Sequence, residues 1–183
     1  VHRMTVTDGD LASGMVENEY VSLTDSKSLT KKYVIVDDNA TTVATGDILL
    51  STSDVGGTTA GSGNAGGIAV AINTTGSVAT QNDFLVQFKA AIEHANGHGA
   101  SSFTVSSVPG EADGAQYIDI TSVYKGTSGN TLPTTDISQL APTAQTAGVD
   151  ASVAGLSTIL TVNAISETTS SAGSKVELFI ASK

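Results

Sequence analysis

The chain has 183 residues, enough for one domain with a genuine hydrophobic core, and its lack of cysteine excludes disulfides, thiolate metal sites and thiol nucleophiles. Eight basic residues, of which Arg3 is the single arginine, stand against 18 acidic ones for a formal charge of −10. That balance removes the basic footprint on which nucleic-acid binding depends, and no apolar run approaches the ~20 residues of a membrane-spanning helix.

Residues 1–19 read as a polar, irregular N-terminal tail with a turn at Asp8-Gly9-Asp10. Its first residues lack the apolar stretch of an export signal. Val21-Ser22-Leu23-Thr24 then alternates apolar with hydroxylated residues, Asp25-Ser26-Lys27 marks a turn, and Lys32-Tyr33-Val34-Ile35-Val36 is a β-branched run. Together these predict a hairpin. Asp47-Ile48-Leu49-Leu50-Ser51 predicts a third strand, and the glycine-rich stretch from Asp54 to Gly67 a mobile loop. Ile68-Ala69-Val70-Ala71-Ile72 places large residues on one face and alanines on the other, as a strand does, with a helix as the competing reading.

The clearest periodicity lies between Asn82 and Asn96, where Phe84, Leu85, Phe88, Ala91, Ile92 and Ala95 recur at steps of three and four. They predict the buried stripe of an amphipathic helix, capped by Thr80 or Asn82 and stopped at Gly97. Phe103-Thr104-Val105-Ser106 and Tyr117-Ile118-Asp119-Ile120-Thr121 predict two more strands, joined through Pro109-Gly110 and a bend at Glu111 and Asp113. From Gly126 to Gly148 no period is sustained, so residues 133–150 read as a linker between a core at 20–132 and the remainder. Residues 151–183 restore strong alternation in Ile159, Leu160 and Val162 and in Val176, Leu178 and Ile180. Those six are the candidate assembly strands, a hairpin or arm that must bury its face on its own sheet or on a neighbour's. The expected fold class is α+β and β-rich, an antiparallel sheet or sandwich with one amphipathic helix packed on it.

The motifs that could carry chemistry each meet a plainer reading. Gly61-Ser62-Gly63-Asn64-Ala65-Gly66 fits G-x-G-x-x-G, but that pattern cradles pyrophosphate only between a strand and a helix. A glycine-rich loop precedes it here and a β-like run follows. His94 and His98 are spaced as a helical zinc pair would be, yet Gly97 and Gly99 interrupt the helix, and a solvated helix end is the alternative. Asp8-Gly9-Asp10 and Asp37-Asp38-Asn39 offer oxygens without the distal glutamate of a calcium loop, so they read as turns. No G-x-S-x-G elbow occurs. No catalytic residue, metal site or cofactor is therefore expected.

From about Tyr20 to Leu132 the chain resembles modules of virion proteins of tailed bacteriophages. Three stretches carry the likeness: the hairpin from Val21 to Asp38; Phe84 with Ala90-Ala91-Ile92 and Asn96-Gly97; and Ile118-Asp119-Ile120-Thr121 followed by Gly126-Thr127-Ser128-Gly129-Asn130. The resemblance implies a non-catalytic virion component, assembled in the host cytoplasm, whose partners are copies of itself and a major capsid or tail protein. An exterior decoration or cement protein is the leading expectation. A tail-tube, fibre or other appendage subunit is the alternative in the same class, and a host-surface glycan binder the alternative from another.

Overall fold

The run from Tyr20 to Asp37 folds as the predicted hairpin, and with the other described runs the chain builds two sheets on a shared core. The computed structural model describes residues 1–7, 15–37, 55–59, 63–72, 80–109 and 115–150. Among them the order is β1 (His2–Val6), β2 (Tyr20–Thr24), β3 (Thr30–Asp37), β4 (Ile68–Ile72), α1 (Gln81–Glu93), β5 (Phe103–Val105), β6 (Gln116–Ser122), β7 (Thr134–Thr135) and β8 (Leu140–Ala144), with a single 3-10 turn at Thr127–Gly129 between β6 and β7. One sheet has the strand order β5-β6-β1-β8 and the other β4-β3-β2-β7. Every pairing is antiparallel except β3 with β4. The fold is β-rich α+β, as expected. Residues 1–150 form one compact unit.

Alternation decides which residues meet. Met4 and Val6 of β1 face inward with Ile118 and Ile120 of β6, while Val21, Leu23, Ile35 and Val70 project from the second sheet into the same cluster. Helix α1 packs against the edge strands β4 and β5 and reaches β6 and β3 behind them. It brings Phe84, Leu85, Phe88, Ala91 and Ile92, all fully buried, into that core. Phe84 stacks on Phe88 at 5.4 Å, and Phe88 meets Tyr33 edge-on at 5.6 Å, an arrangement favoured by the ring quadrupoles.

Thr80 caps the helix with a capping box: its hydroxyl accepts from the Asp83 amide, and the Asp83 carboxylate accepts from the Thr80 amide. The C-terminus departs from the expected Asn96 and Gly97. The helix ends at Glu93, and His94 has already turned to extended backbone. Ala95 is consequently exposed and outside the helix, so it does not belong to the buried stripe. The left-handed residue is Gly99 (φ 71°) rather than Gly97. Gly97 is needed for another reason, since a side chain there would overlap the Ala91 carbonyl oxygen.

Two stretches expected to be irregular are ordered strands. His2–Val6 is no tail; it is an inner strand, paired with β6 on one side and β8 on the other. Residues 133–150 are no linker, because β7 and β8 add an edge to each sheet, and Ile137 and Leu140 are buried. The glycine-rich stretch is also structured where it is described. Residues Gly56 to Thr59 run along the outer edge of β4 through hydrogen bonds between Gly56, Gly57 and Ala69, and Thr59 closes on Gly66 and Gly67. Ala69 and Ala71 are buried as well, with Val36 and Val55 packed against them, so β4 is buried on both faces. The predicted strand at 47–51, the turns at Asp8-Gly9-Asp10, Asp38-Asn39 and Glu111–Asp113, and the whole of 151–183 lie outside the described residues.

All four sheet edges are blunted. Gly56–Thr59 covers β4, α1 packs against β5, and β7 has only two residues. In β8 the Thr7 amide bonds Gln139 O and the Gln145 amide bonds Val1 O. Strict alternation from those pairs turns Pro142 outward, so the one residue without an N–H sits where a docking strand would need a donor. Proline at such a position discourages edge-to-edge pairing.

Candidate functional site

Two glycines let the loop after α1 fold back onto the β2–β3 turn, and the contacts there bring the buried polar residues Asp25, His98 and Ser102 together. Asp25 is 1% exposed. Its Oδ1 accepts from the amides of Lys27 and Leu29 at 2.8 and 3.0 Å, and its Oδ2 accepts from Ser102 Oγ at 2.9 Å. Burial raises the Asp25 pKa, but these hydrogen bonds outweigh it and the net position is below the ordinary carboxylate value. Lys31 Nζ reaches across to the carbonyls of Asn96 and Gly97 at 2.7 and 2.6 Å.

His98 is the centre of this clasp. Leu29 O can only accept, so the 3.1 Å contact places a proton on His98 Nε2. His98 Nδ1 then accepts from Tyr33 Oη at 2.7 Å, and Tyr33 Oη accepts in turn from the His98 amide at 3.0 Å. Burial holds the imidazole below the ordinary histidine range and pushes the Tyr33 phenol above its own. Serine, histidine and aspartate thus lie close together without forming a nucleophile and base. Ser102 donates to Asp25, whereas His98 is spent on Tyr33 and Leu29, so the serine–histidine bond of a catalytic triad is not made. The arrangement can hold two loops together.

His98 is therefore not the solvated helix end that the sequence suggests. His94 is exposed, and its Nδ1 accepts from the Asn96 amide at 3.0 Å. The two imidazoles share no helix face. Among the described residues no three of His, Asp and Glu gather as a metal site would require. The glycine-rich motif leads into β4 rather than a helix, so it lacks the N-terminal amides that hold pyrophosphate. Its described part borders an open cleft of about 430 Å³ with Lys31, Lys32 and Asn96. Neither lysine is idle, since Lys31 holds the carbonyls above and Lys32 lies 4.1 Å over the Tyr20 ring.

Three of the four tyrosines reach the surface, and each carries a cation on its ring. Besides the Lys32–Tyr20 pair, the Arg3 guanidinium lies 3.7 Å over Tyr117 and Lys27 Nζ 4.5 Å over Tyr124. Arg3 also makes a bidentate pair with Asp119 at 2.8 and 2.9 Å. That hydrogen-bonded pairing lowers the Asp119 pKa. The strand register sets Arg3 directly across from Asp119 on the outer face of the sheet.

A second clasp secures residues 148–150. Thr127 donates to Asp150 through its amide and its hydroxyl, at 2.8 and 2.6 Å. Asn130 Nδ2 donates to Gly148 O at 2.9 Å while its Oδ1 accepts from the Gly148 amide at 2.6 Å. Beside it Val123, Tyr124, Lys125 and Val149 line a surface groove of about 410 Å³.

Of the residues singled out from sequence, the structure brings Phe84, Leu85, Phe88, Ala91 and Ile92 together in the core and leaves Ala95 outside. Ile159, Leu160, Val162, Val176, Leu178 and Ile180 lie outside the described residues. Sequence reasoning missed Tyr33, His98 and Ser102 as a unit, and only the odd placement of His98 between two glycines signalled a close approach. Compared with protein-family models, curated proteins and solved structures, the chain matches none. Among the described residues no helix is long and apolar enough to cross a membrane.

Proposed function

We propose that the chain is a structural component of a tailed-phage virion, acting through subunit contacts as an exterior capsid decoration or cement protein. The observation that supports this reading is the use made of the three stretches with phage-module character. The hairpin becomes β2–β3, the periodic stretch becomes α1, packed chiefly on β4 and β5, and the third becomes β6 with the turn that clasps residues 148–150. They are parts of one folded body, and their polar side chains serve to hold loops. Such a role requires no reaction. Copies of the chain and a major capsid or tail protein are its partners in this reading.

The cation on each surface tyrosine counts against the glycan-binding alternative, which needs an open aromatic face for a sugar ring. The blunted edges argue that contacts run through faces and grooves rather than by strand addition to residues 1–150. Electron microscopy of the purified particle, with an antibody or tag marking the chain, tests the proposal. Regular density on the shell exterior is expected. Label on a tube or fibre would favour an appendage subunit, and a chain that copurifies with no particle would overturn the reading.

A further inference from the structure

Residues 1–150 contain six basic side chains: Arg3, Lys27, Lys31, Lys32, Lys89 and Lys125. Four are held by oxygen. Arg3 is bound by Asp119 and Lys89 by Glu93, Lys31 holds two main-chain carbonyls, and Lys32 reaches Asn64 Oδ1 at 3.4 Å. Among the described residues Lys27 and Lys125 form no ion pair, although Lys27 bonds the Tyr124 side chain and feels the charge of Asp25. Both stand beside the same groove, Lys27 over the Tyr124 ring and Lys125 in its lining. The apolar groups between them are open to solvent: Val123 is 45% exposed, Tyr124 44% and Val149 79%.

A chain carrying −10 repels its own copies over most of its surface. Self-association is favoured only where a local cationic patch meets the acidic remainder, and it is strengthened where apolar groups are buried in the same contact. Tyrosine is enriched among the anchors of such contacts, and flanking lysines on the rim steer the approach. We infer that the groove of Val123, Tyr124 and Val149, flanked by Lys27 and Lys125, receives an acidic surface of a second copy of this chain. The inference rests on the assembly reading above and names its contact. A groove that meets a different surface of the neighbour either closes as a two-fold pair, with the contact made twice, or propagates into a ring or an array.

Sedimentation velocity of the full chain across a concentration series, at low and high salt, tests this. The wild type should self-associate, and its advantage over the charge-reversed lysine pair should shrink at high salt as the lysines are screened. Tyr124→Ser and the pair Lys27→Glu with Lys125→Glu should each weaken it at least about tenfold, as loss of an interface anchor does. Tyr117→Ser, at an exposed tyrosine on the outer face of the β5-β6-β1-β8 sheet, should leave association unchanged. Circular dichroism confirms that each variant is folded. Association that survives both groove variants overturns the groove while leaving assembly intact. A wild type that stays monomeric at every concentration overturns the second copy as partner, together with self-assembly itself.

Discussion

Tyr33 Oη and His98 Nδ1 lie 2.7 Å apart, and the His98 amide returns a hydrogen bond to the same oxygen at 3.0 Å. One phenol thus satisfies two groups of a residue 65 positions away, joining the loop after α1 to the middle of β3. Both donors and acceptors are buried, so the pair costs much more to break than an exposed one would.

Removing the phenol oxygen isolates its effect. Tyr33→Phe keeps the ring against Phe88 but leaves His98 Nδ1 without a donor and the His98 amide without an acceptor. The expected loss is about 1–3 kcal/mol, the range for stranded buried polar groups. Urea unfolding measures it, and a variant as stable as the parent would show that these two groups find other partners.

Acid should loosen the same clasp. The folded His98 pKa lies below its unfolded value of about 6.5, so the unfolded chain binds the proton first. The stability His98 contributes is fully present above about pH 6.5 and is lost as pH falls through the lower folded pKa. Asp25 and Lys31 face the imidazole with opposite effects, Asp25 favouring and Lys31 opposing its charged form. Asp25 itself is depressed and loses its contribution only at more acidic pH, below the carboxylate range. Unfolding free energies measured from pH 7.5 to 4.5 should fall, and His98→Gln, less stable at pH 7.5, should have a flatter slope. Parallel slopes in the two proteins would place the titration elsewhere.

Helix α1 gives a contrast between a buried and a misassigned position. Phe88 is fully buried between Phe84 and Tyr33, and Phe88→Ala should cost about 3–5 kcal/mol. Ala95 shares its periodicity but is exposed beyond the helix end, so Ala95→Lys should change stability by no more than about 0.5 kcal/mol. Thermal or chemical melts of the two variants decide the matter. Similar losses at both sites would mean that the helix continues past Glu93.

What could be read from the sequence follows from how much signal each element carries. The β2–β3 hairpin, β4, α1 and β6 declare themselves because several large apolar residues recur at a fixed step. β1 offers only Met4 and Val6, and β8 only Leu140 beside Pro142; each is ordered by pairing with strands more than a hundred positions away, which local pattern does not record. The clasp was hidden for the same reason. Asp25 reads as a turn residue and proves to be one, but its bond to Ser102, and His98's to Tyr33, join segments that sequence keeps apart. The groove likewise unites residues 123–125 with residue 149.

The clasp at residues 148–150 should open without unfolding the rest. Gly126 holds φ at 120°, and Thr127 and Asn130 then aim their polar groups at Asp150 and Gly148. Asn130 acts as a short strand would, donating to one main-chain group of Gly148 and accepting from the other. A hydrogen bond of this kind contributes about 0.5–1.5 kcal/mol net, which corresponds to about a two- to twelvefold change in a local opening equilibrium. Asn130→Ala should therefore speed hydrogen exchange at the Gly148 amide by about that factor. The Asp119 amide, bonded to Ser106 Oγ on the edge strand's extension, should exchange as in the parent. The Thr127 amide reports the other half, since its acceptor is Asp150. The bonds from Thr127 lower the Asp150 pKa, so protection of that amide is present above the ordinary carboxylate pKa and is lost as pH falls through the depressed folded value. Asp150→Ala should remove the Thr127 protection at neutral pH. An unchanged Gly148 rate in Asn130→Ala, or equal acceleration throughout β6, would show that residues 148–150 are held by something other than these side chains.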